Sequence, residues 1–121
     1  MARIGVIGSR GYPNLGFVRD FIRTLPLDAV IVSGGGGEVD RVAVSEARFL
    51  GMTYVEHLPK YELYGKAWAP RRRNIVLVED VNELRAFWDG TSTGTRHALN
   101  YARSIGTPAW YWWNACWRRW P

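Results

Sequence analysis

Cysteine is almost absent: Cys116 stands alone in the chain. That excludes an internal disulfide framework and any multi-cysteine zinc site. Histidine is nearly as scarce. His57 and His97 lie far apart in sequence, so a His–Cys metal centre has little to build on. Neither a metal nor a resident cofactor is expected. No apolar run approaches the roughly 20 residues that a membrane span requires. The first apolar run begins almost at Met1, which leaves no room for a signal peptide. The expectation is a soluble, cytoplasmic protein. Lysine is scarce too: of 16 basic residues, all but Lys60 and Lys66 are arginine.

What is present argues for one folded domain. The chain has 121 residues, within the ordinary range for a single domain. Hydrophobic residues make up 47% and charged residues 22%, enough apolar content to build a core and exclude disorder as the main state. The formal charge is +5. Arginine presents a planar fork suited to bidentate recognition of phosphate or carboxylate. A basic surface of this kind fits an anionic partner, either a nucleotide or a nucleic acid. Plain solubility is the other reading of the charge.

Strand-like and helix-like blocks alternate along the chain. Residues 3–7 form a short apolar run that ends in Gly8-Ser9-Arg10. Phe17, Val18, Phe21, Ile22 and Leu25 then recur at helical spacing, closed by Pro26. Residues 29–33 read as a second buried strand rich in β-branched side chains. Val39, Val42, Ala43, Ala47 and Leu50 mark a second helix, with Gly51 placed to cap it. Residues 53–56 read as a third strand and residues 57–68 as a loop. Pro70 is placed to open a third helix. Residues 84–88 read as a fourth strand, residues 94–105 as a fourth helix, and residues 109–112 as a fifth strand. This order predicts an α/β protein, a Rossmann-like three-layer α/β/α sandwich with a mostly parallel five-stranded sheet. The expected division is a nucleotide-binding domain over 1–112 and a Trp/Arg-rich tail over 113–121.

In such folds ligands bind beyond the carboxyl ends of the strands, near the point where strand order reverses. Three loops at that edge have phosphate-binding character. The first, Gly8-Ser9-Arg10, offers a pliable backbone, a hydroxyl and a guanidinium. The second, Ser33-Gly34-Gly35-Gly36-Gly37, opens a helix, where backbone N–H groups and the helix dipole favour an anion. The third runs from Asp89-Gly90 through Ser92 to Gly94-Thr95 and opens another helix. Each alone would be a common turn. Three at one edge of one sheet form a candidate ligand site. A P-loop is excluded, since no Gly-Lys-Ser/Thr occurs, and the G-x-G-x-x-G dinucleotide fingerprint is missing from the first loop.

These blocks, together with Tyr64-Gly65-Lys66, Pro70, Arg73-Asn74 and Ala86-Phe87-Trp88-Asp89-Gly90, resemble the YspA branch of the SLOG superfamily. The superfamily also holds the Lonely Guy phosphoribohydrolases and the DNA-processing protein DprA. The resemblance spans about residues 3–112. It implies a Rossmann-like fold whose ligand is a nucleotide or nucleotide-derived molecule, sensed, sequestered or processed, often in phage or conflict settings. It further implies that Arg73 and Asn74 lie near the pocket, and Lys66 on a loop over it. The chain departs from the Lonely Guy pattern at the catalytic glutamate, where Ala98 stands.

The leading expectation is therefore a binding protein. Gly8, Ser9 and Arg10 would hold one part of the ligand. Ser33, Gly34, Gly35 and Gly36 would cradle phosphate with Ser92, Gly94 and Thr95, while Asp89 or Asp40 would accept from ribose. A nucleotide hydrolase or phosphoribohydrolase is the first alternative, using Glu38, Asp40 or Asp89 as acid or base. Glu38 reads equally as a helix-dipole partner. The second alternative is a DprA-like protein that binds single-stranded nucleic acid. The C-terminal segment 110–121, which includes the tail, carries five of the seven tryptophans beside Arg118 and Arg119. It would pack on the domain or on a partner subunit, making a homodimer or higher homo-oligomer, or else stack on bases or meet a membrane surface.

Overall fold

The computed structural model describes residues 2–121. Its elements run β1 (Arg3–Gly8), α1 (Leu15–Thr24), β2 (Val30–Ser33), α2 (Glu38–Phe49), β3 (Thr53–Glu56), α3 (Tyr61–Glu79), β4 (Glu83–Phe87), α4 (Thr93–Ser104), β5 (Ala109–Trp113) and β6 (Cys116–Arg119). One sheet holds all the strands in the order β3-β2-β1-β4-β5-β6. The first five are parallel; β6 returns antiparallel to β5. The fold is a three-layer α/β sandwich. Strand order reverses beside β1, whose neighbours are β2 and β4, so the crevice of such folds opens beyond the carboxyl ends of these strands.

The two faces follow from the period of two within each strand. Ile4, Val6 and Ile31 face one cluster, with Val18, Phe21 and Ile22 of α1 and Val39, Ala43 and Ala47 of α2. Ile7, Val30, Val32, Leu84 and Ala86 face the other, with Leu77 and Val78 of α3 and Ala98, Leu99 and Ala102 of α4. Asn14 caps α1 by accepting the Phe17 N–H at 3.3 Å. Gly51, at φ 73°, follows the last residues of α2 in the left-handed conformation that ends many helices.

Two features differ from the sequence expectation. The sheet has six strands rather than five, because the chain turns at Asn114-Ala115 and pairs Trp113 with Cys116. Packing on the domain is thus the fate of most of the tail. Trp112 and Trp117 stack edge-on at 5.2 Å and meet Phe87, Phe17 and Phe21. Trp120 meets Trp88 and Tyr111 on the opposite face. The second difference is α3. It begins at Tyr61, within the stretch read as loop, and consists of two helical segments that meet at Gly65 (φ 74°). Pro70 lies in the second segment rather than opening it. Its missing N–H forfeits one helical bond close to that segment's start. Among the described residues, no helix is long and apolar enough to cross a membrane.

Candidate functional site

The carboxyl edge of β1, β2 and β4 opens on a cleft of about 330 Å³, at the lower end of the roughly 300–1,000 Å³ typical of small-molecule sites. Gly8 and Arg10 come to it from the loop after β1. Gly34, Gly36 and Asp40 come from the loop after β2 and the first turn of α2. Asp89, Ser92, Gly94 and Thr95 come from the loop after β4 and the start of α4, and Arg73 and Asn74 from α3. Ile7, Gly37, Tyr61 and Pro70 complete the lining. Of these four, sequence reasoning missed Ile7 and Tyr61. Tyr61 was hidden in the stretch read as loop, while Gly37 belongs to the glycine run and Pro70 to the blocks that carry the resemblance.

Gly8 is there because the chain has no room for more. A Cβ at this position would lie 2.6 Å from Val39 Cβ. Glycine lets the end of β1 approach α2 and bring its loop to the cleft.

Several expected site residues hold the loops rather than line the cleft. Ser9 is buried, and its hydroxyl accepts the Asp89 N–H at 3.1 Å. This bond ties the first loop to the third. Ser33 is fully buried and donates its hydroxyl to Asp40 Oδ1 at 3.0 Å. Asp40 Oδ2 accepts the N–H groups of Gly36 and Gly37 at 3.0 and 3.1 Å. Both carboxylate oxygens are thus engaged within the chain. Two of the N–H groups expected to cradle phosphate already serve Asp40. Gly35 and Gly90, both with positive φ, shape their turns from outside the lining. Lys66 is exposed and also outside it. Glu38 is exposed at the first turn of α2, 3.9 Å from Arg41, and outside the lining.

Asp89 forms a local turn. Its Oδ1 accepts the N–H groups of Thr91 and Ser92, each at 2.8 Å, and the Thr91 hydroxyl at 3.1 Å. The Ser92 and Thr91 N–H groups hold its carboxyl below the usual aspartate value. Ser92 then caps α4 by accepting the Thr95 N–H at 3.4 Å. The N–H groups of Thr93 and Gly94, first in α4, have no partner among the described residues. A helix start in this state favours an anion.

The cations are Arg10 and Arg73. Neither has a carboxylate within 4.0 Å among the described residues. Arg73 is half-buried. It donates through Nη1 to the Gly34 carbonyl and through Nε to Asn74 Oδ1 at 2.8 Å. Its Nη2 edge has no hydrogen-bond partner among the described residues. Burial lowers its pKa, against the raising pull of Asp40 and Tyr61. Arginine nevertheless stays charged at any physiological pH. The cleft therefore holds two cationic forks and an open helix start, with Asp89 held by its turn through Oδ1 and its Oδ2 without a hydrogen-bond partner among the described residues.

A shallower hollow of about 550 Å³ lies on the outer side of α2, along Arg41, Val44, Ser45, Arg48 and Phe49. No group of three or more His, Cys, Asp or Glu side chains is placed to hold a metal ion among the described residues.

No family model matches the chain, and no curated protein matches it. Among solved structures it is similar to the crystal structure of glycinamide ribonucleotide transformylase 1 from Symbiobacterium toebii, at 21% identity and a TM-score of 0.36. The likeness covers 71% of this chain and 41% of that one, so the chain spans less than half the length of that protein.

Proposed function

We propose that the cleft binds the phosphate of a nucleotide or nucleotide-derived ligand, and that the chain senses or sequesters this ligand. One observation carries the reading. Arg73 is half-buried at the cleft, is held in place by Gly34 and Asn74, and has no carboxylate partner. A desolvated, unpaired guanidinium is costly unless an anion completes it. Arg10 and the open start of α4 supply the other sides of an anion site. The Tyr61 ring, at the edge of the cleft, is placed for a base, and Asp89 for a ribose hydroxyl. Membership in the YspA branch of the SLOG superfamily is part of this reading, supported by the meeting of Gly8, Gly34, Arg73, Asn74, Ser92, Gly94 and Thr95 at one cleft, though the Tyr64-Gly65-Lys66 block lies outside it.

The hydrolase alternative has no comparable support. Asp40 is engaged through both oxygens, Glu38 lies outside the lining, and Asp89 is held in its ionised form. None is poised as a general acid, and Asp89 alone is left to serve as a base.

The test is mass spectrometry of what the protein retains from a mixed nucleotide pool, wild type beside Arg10→Ala. Arg10 is exposed and unpaired, so its removal leaves the fold intact. An intact nucleotide kept by wild type, with affinity reduced about 10- to 100-fold in the variant, is expected for a lost charged hydrogen bond. Release of free base or ribose phosphate would move the assignment to a hydrolase. Retention of nothing by wild type would remove the phosphate site.

A further inference from the structure

A second feature lies outside the cleft, on the outer surface at the start of α3. Residues 60–73 hold five cations, with Glu62 as the single acid. Tyr64 is 42% exposed and Trp68 is 65% exposed. Exposed rings of this size in a cationic stretch are not explained by packing, since residues 61–68 are exposed throughout. Nor are the cations explained by ion pairs. Lys60, Lys66, Arg71 and Arg72 have no carboxylate within 4.0 Å among the described residues.

All of these groups but Lys66 are linked by a shared groove, a helix face or a ring contact. Lys60, Tyr64 and Arg72 line the same groove, of about 500 Å³, between the segment after β3 and α3; Arg73 and one acid, Glu56, also line it. Trp68 and Arg72 stand four residues apart on the helix, and so share a face. The Arg71 guanidinium lies 5.9 Å from the centre of the Trp68 ring.

We infer that this face binds single-stranded nucleic acid, with bases stacking on Tyr64 and Trp68 and phosphates held by Lys60, Arg71 and Arg72. Aromatic faces interleaved with unpaired cations are what such recognition requires. Charge selects this occupant over a second copy of the chain, because docking two copies through the face would bring like charges together. The break at Gly65 selects it over a lipid surface. The exposed helix before the break is about one turn long, too short for a continuous apolar face of the kind that lies in a membrane interface. Arg73 lines both this groove and the cleft, but neither it nor Arg10 is assigned a contact with the strand, so the variants that test the face leave the cleft's cations in place.

The test is fluorescence anisotropy with a labelled single strand of about 16 nucleotides, with salt raised from about 50 to about 200 mM. Wild type binds, and affinity falls steeply with salt. Tyr64→Ala/Trp68→Ala weakens binding at least about 10-fold, as lost stacking on two bases predicts. Arg71→Glu/Arg72→Glu weakens it further and flattens the salt dependence. A charge-matched control on α2, Arg41→Glu/Arg48→Glu, has a much smaller effect. These side chains are exposed, so melting temperatures stay close to wild type and a folding defect would be seen directly. An equal loss in the α2 control overturns the inference in favour of diffuse charge attraction. So does absence of binding at low salt. Sedimentation as a Trp68-dependent dimer without strand binding assigns the face to a second copy. Binding to phosphatidylserine vesicles without strand binding assigns it to a membrane.

Discussion

Ser33 donates its hydroxyl to Asp40 at 3.0 Å, joining the end of β2 to the first turn of α2 within the core. The same carboxylate holds the Gly36 and Gly37 N–H groups. The glycine loop is therefore shaped from inside, before any ligand arrives. Asp40→Ala leaves three donors without their acceptor and is expected to cost about 2–3 kcal/mol, the range for a charge-assisted buried bond. Ser33→Ala removes one donor and costs about 1 kcal/mol. Because both act through one carboxylate, the double variant loses less than the sum. Urea unfolding of the four proteins measures this. Strict additivity would show that the two side chains are not coupled.

Gly8 against Val39 is a second constraint from the same corner. An alanine Cβ would sit 2.6 Å from Val39 Cβ and 2.7 Å from Cγ1, closer than such atoms come. The end of β1 must then move away from α2. Gly8→Ala is expected to destabilise by about 1–3 kcal/mol, as overpacking does. It also displaces Arg10 and so weakens nucleotide retention. Val39→Ala removes the two methyl groups, and the double variant recovers part of the loss. Thermal melts and nucleotide titrations, read together, separate the two effects. Unchanged stability in Gly8→Ala would show that the corner yields freely.

Asp89 sets a pH dependence whose sign is fixed. The Ser92 and Thr91 N–H groups lower its carboxyl below the ordinary aspartate value, which is about 3.9 in an unfolded chain. A carboxyl depressed by folding adds stability in full above that ordinary value. The contribution is lost as pH falls through the lower, folded value. The gap in melting temperature between wild type and Asp89→Asn is therefore constant near neutrality and narrows only in strong acid. Carbon-detected titration of the side chain should give a midpoint below the ordinary value. A midpoint at or above it would restore Asp89 as a candidate proton donor.

The sequence made the strands and three glycine-rich loops legible for one reason. Each loop follows a short apolar run, and Ile4, Val6 and Ile7 already display the alternation that assigns faces. Asp40 was harder. A carboxylate three residues beyond a glycine run reads equally as acid, ribose acceptor or cap. Only the turn at Gly35 (φ 67°) decides which N–H groups reach it. The start of α3 left no period to find, because residues 61–68 are exposed on every side. Pro70 then read as a start signal, although the chain is already helical there. The hairpin from β5 to β6 was hidden for a different reason: its turn lacks the expected residue.

That turn yields the last prediction. Trp113 pairs with Cys116, so Asn114 and Ala115 alone connect the strands. Their φ angles are 49° and 59°, as a two-residue turn of the primed type requires at both positions. Asparagine tolerates this conformation; alanine does not, since its Cβ crowds the backbone. Asn-Gly is the favoured pair, and Asn-Ala carries the strain of a left-handed alanine. Ala115→Gly removes that strain but frees the unfolded chain, two effects that oppose one another. Relief of left-handed strain, roughly 1–2 kcal/mol, exceeds the entropic term. The net expectation is a gain of about 0.5–1 kcal/mol. Ala115→Val moves the opposite way, because branching at Cβ worsens the clash. Chemical denaturation of both variants measures the pair. A destabilised Ala115→Gly would mean that the turn adopts another conformation, and that β6 is not held to β5 by this hairpin.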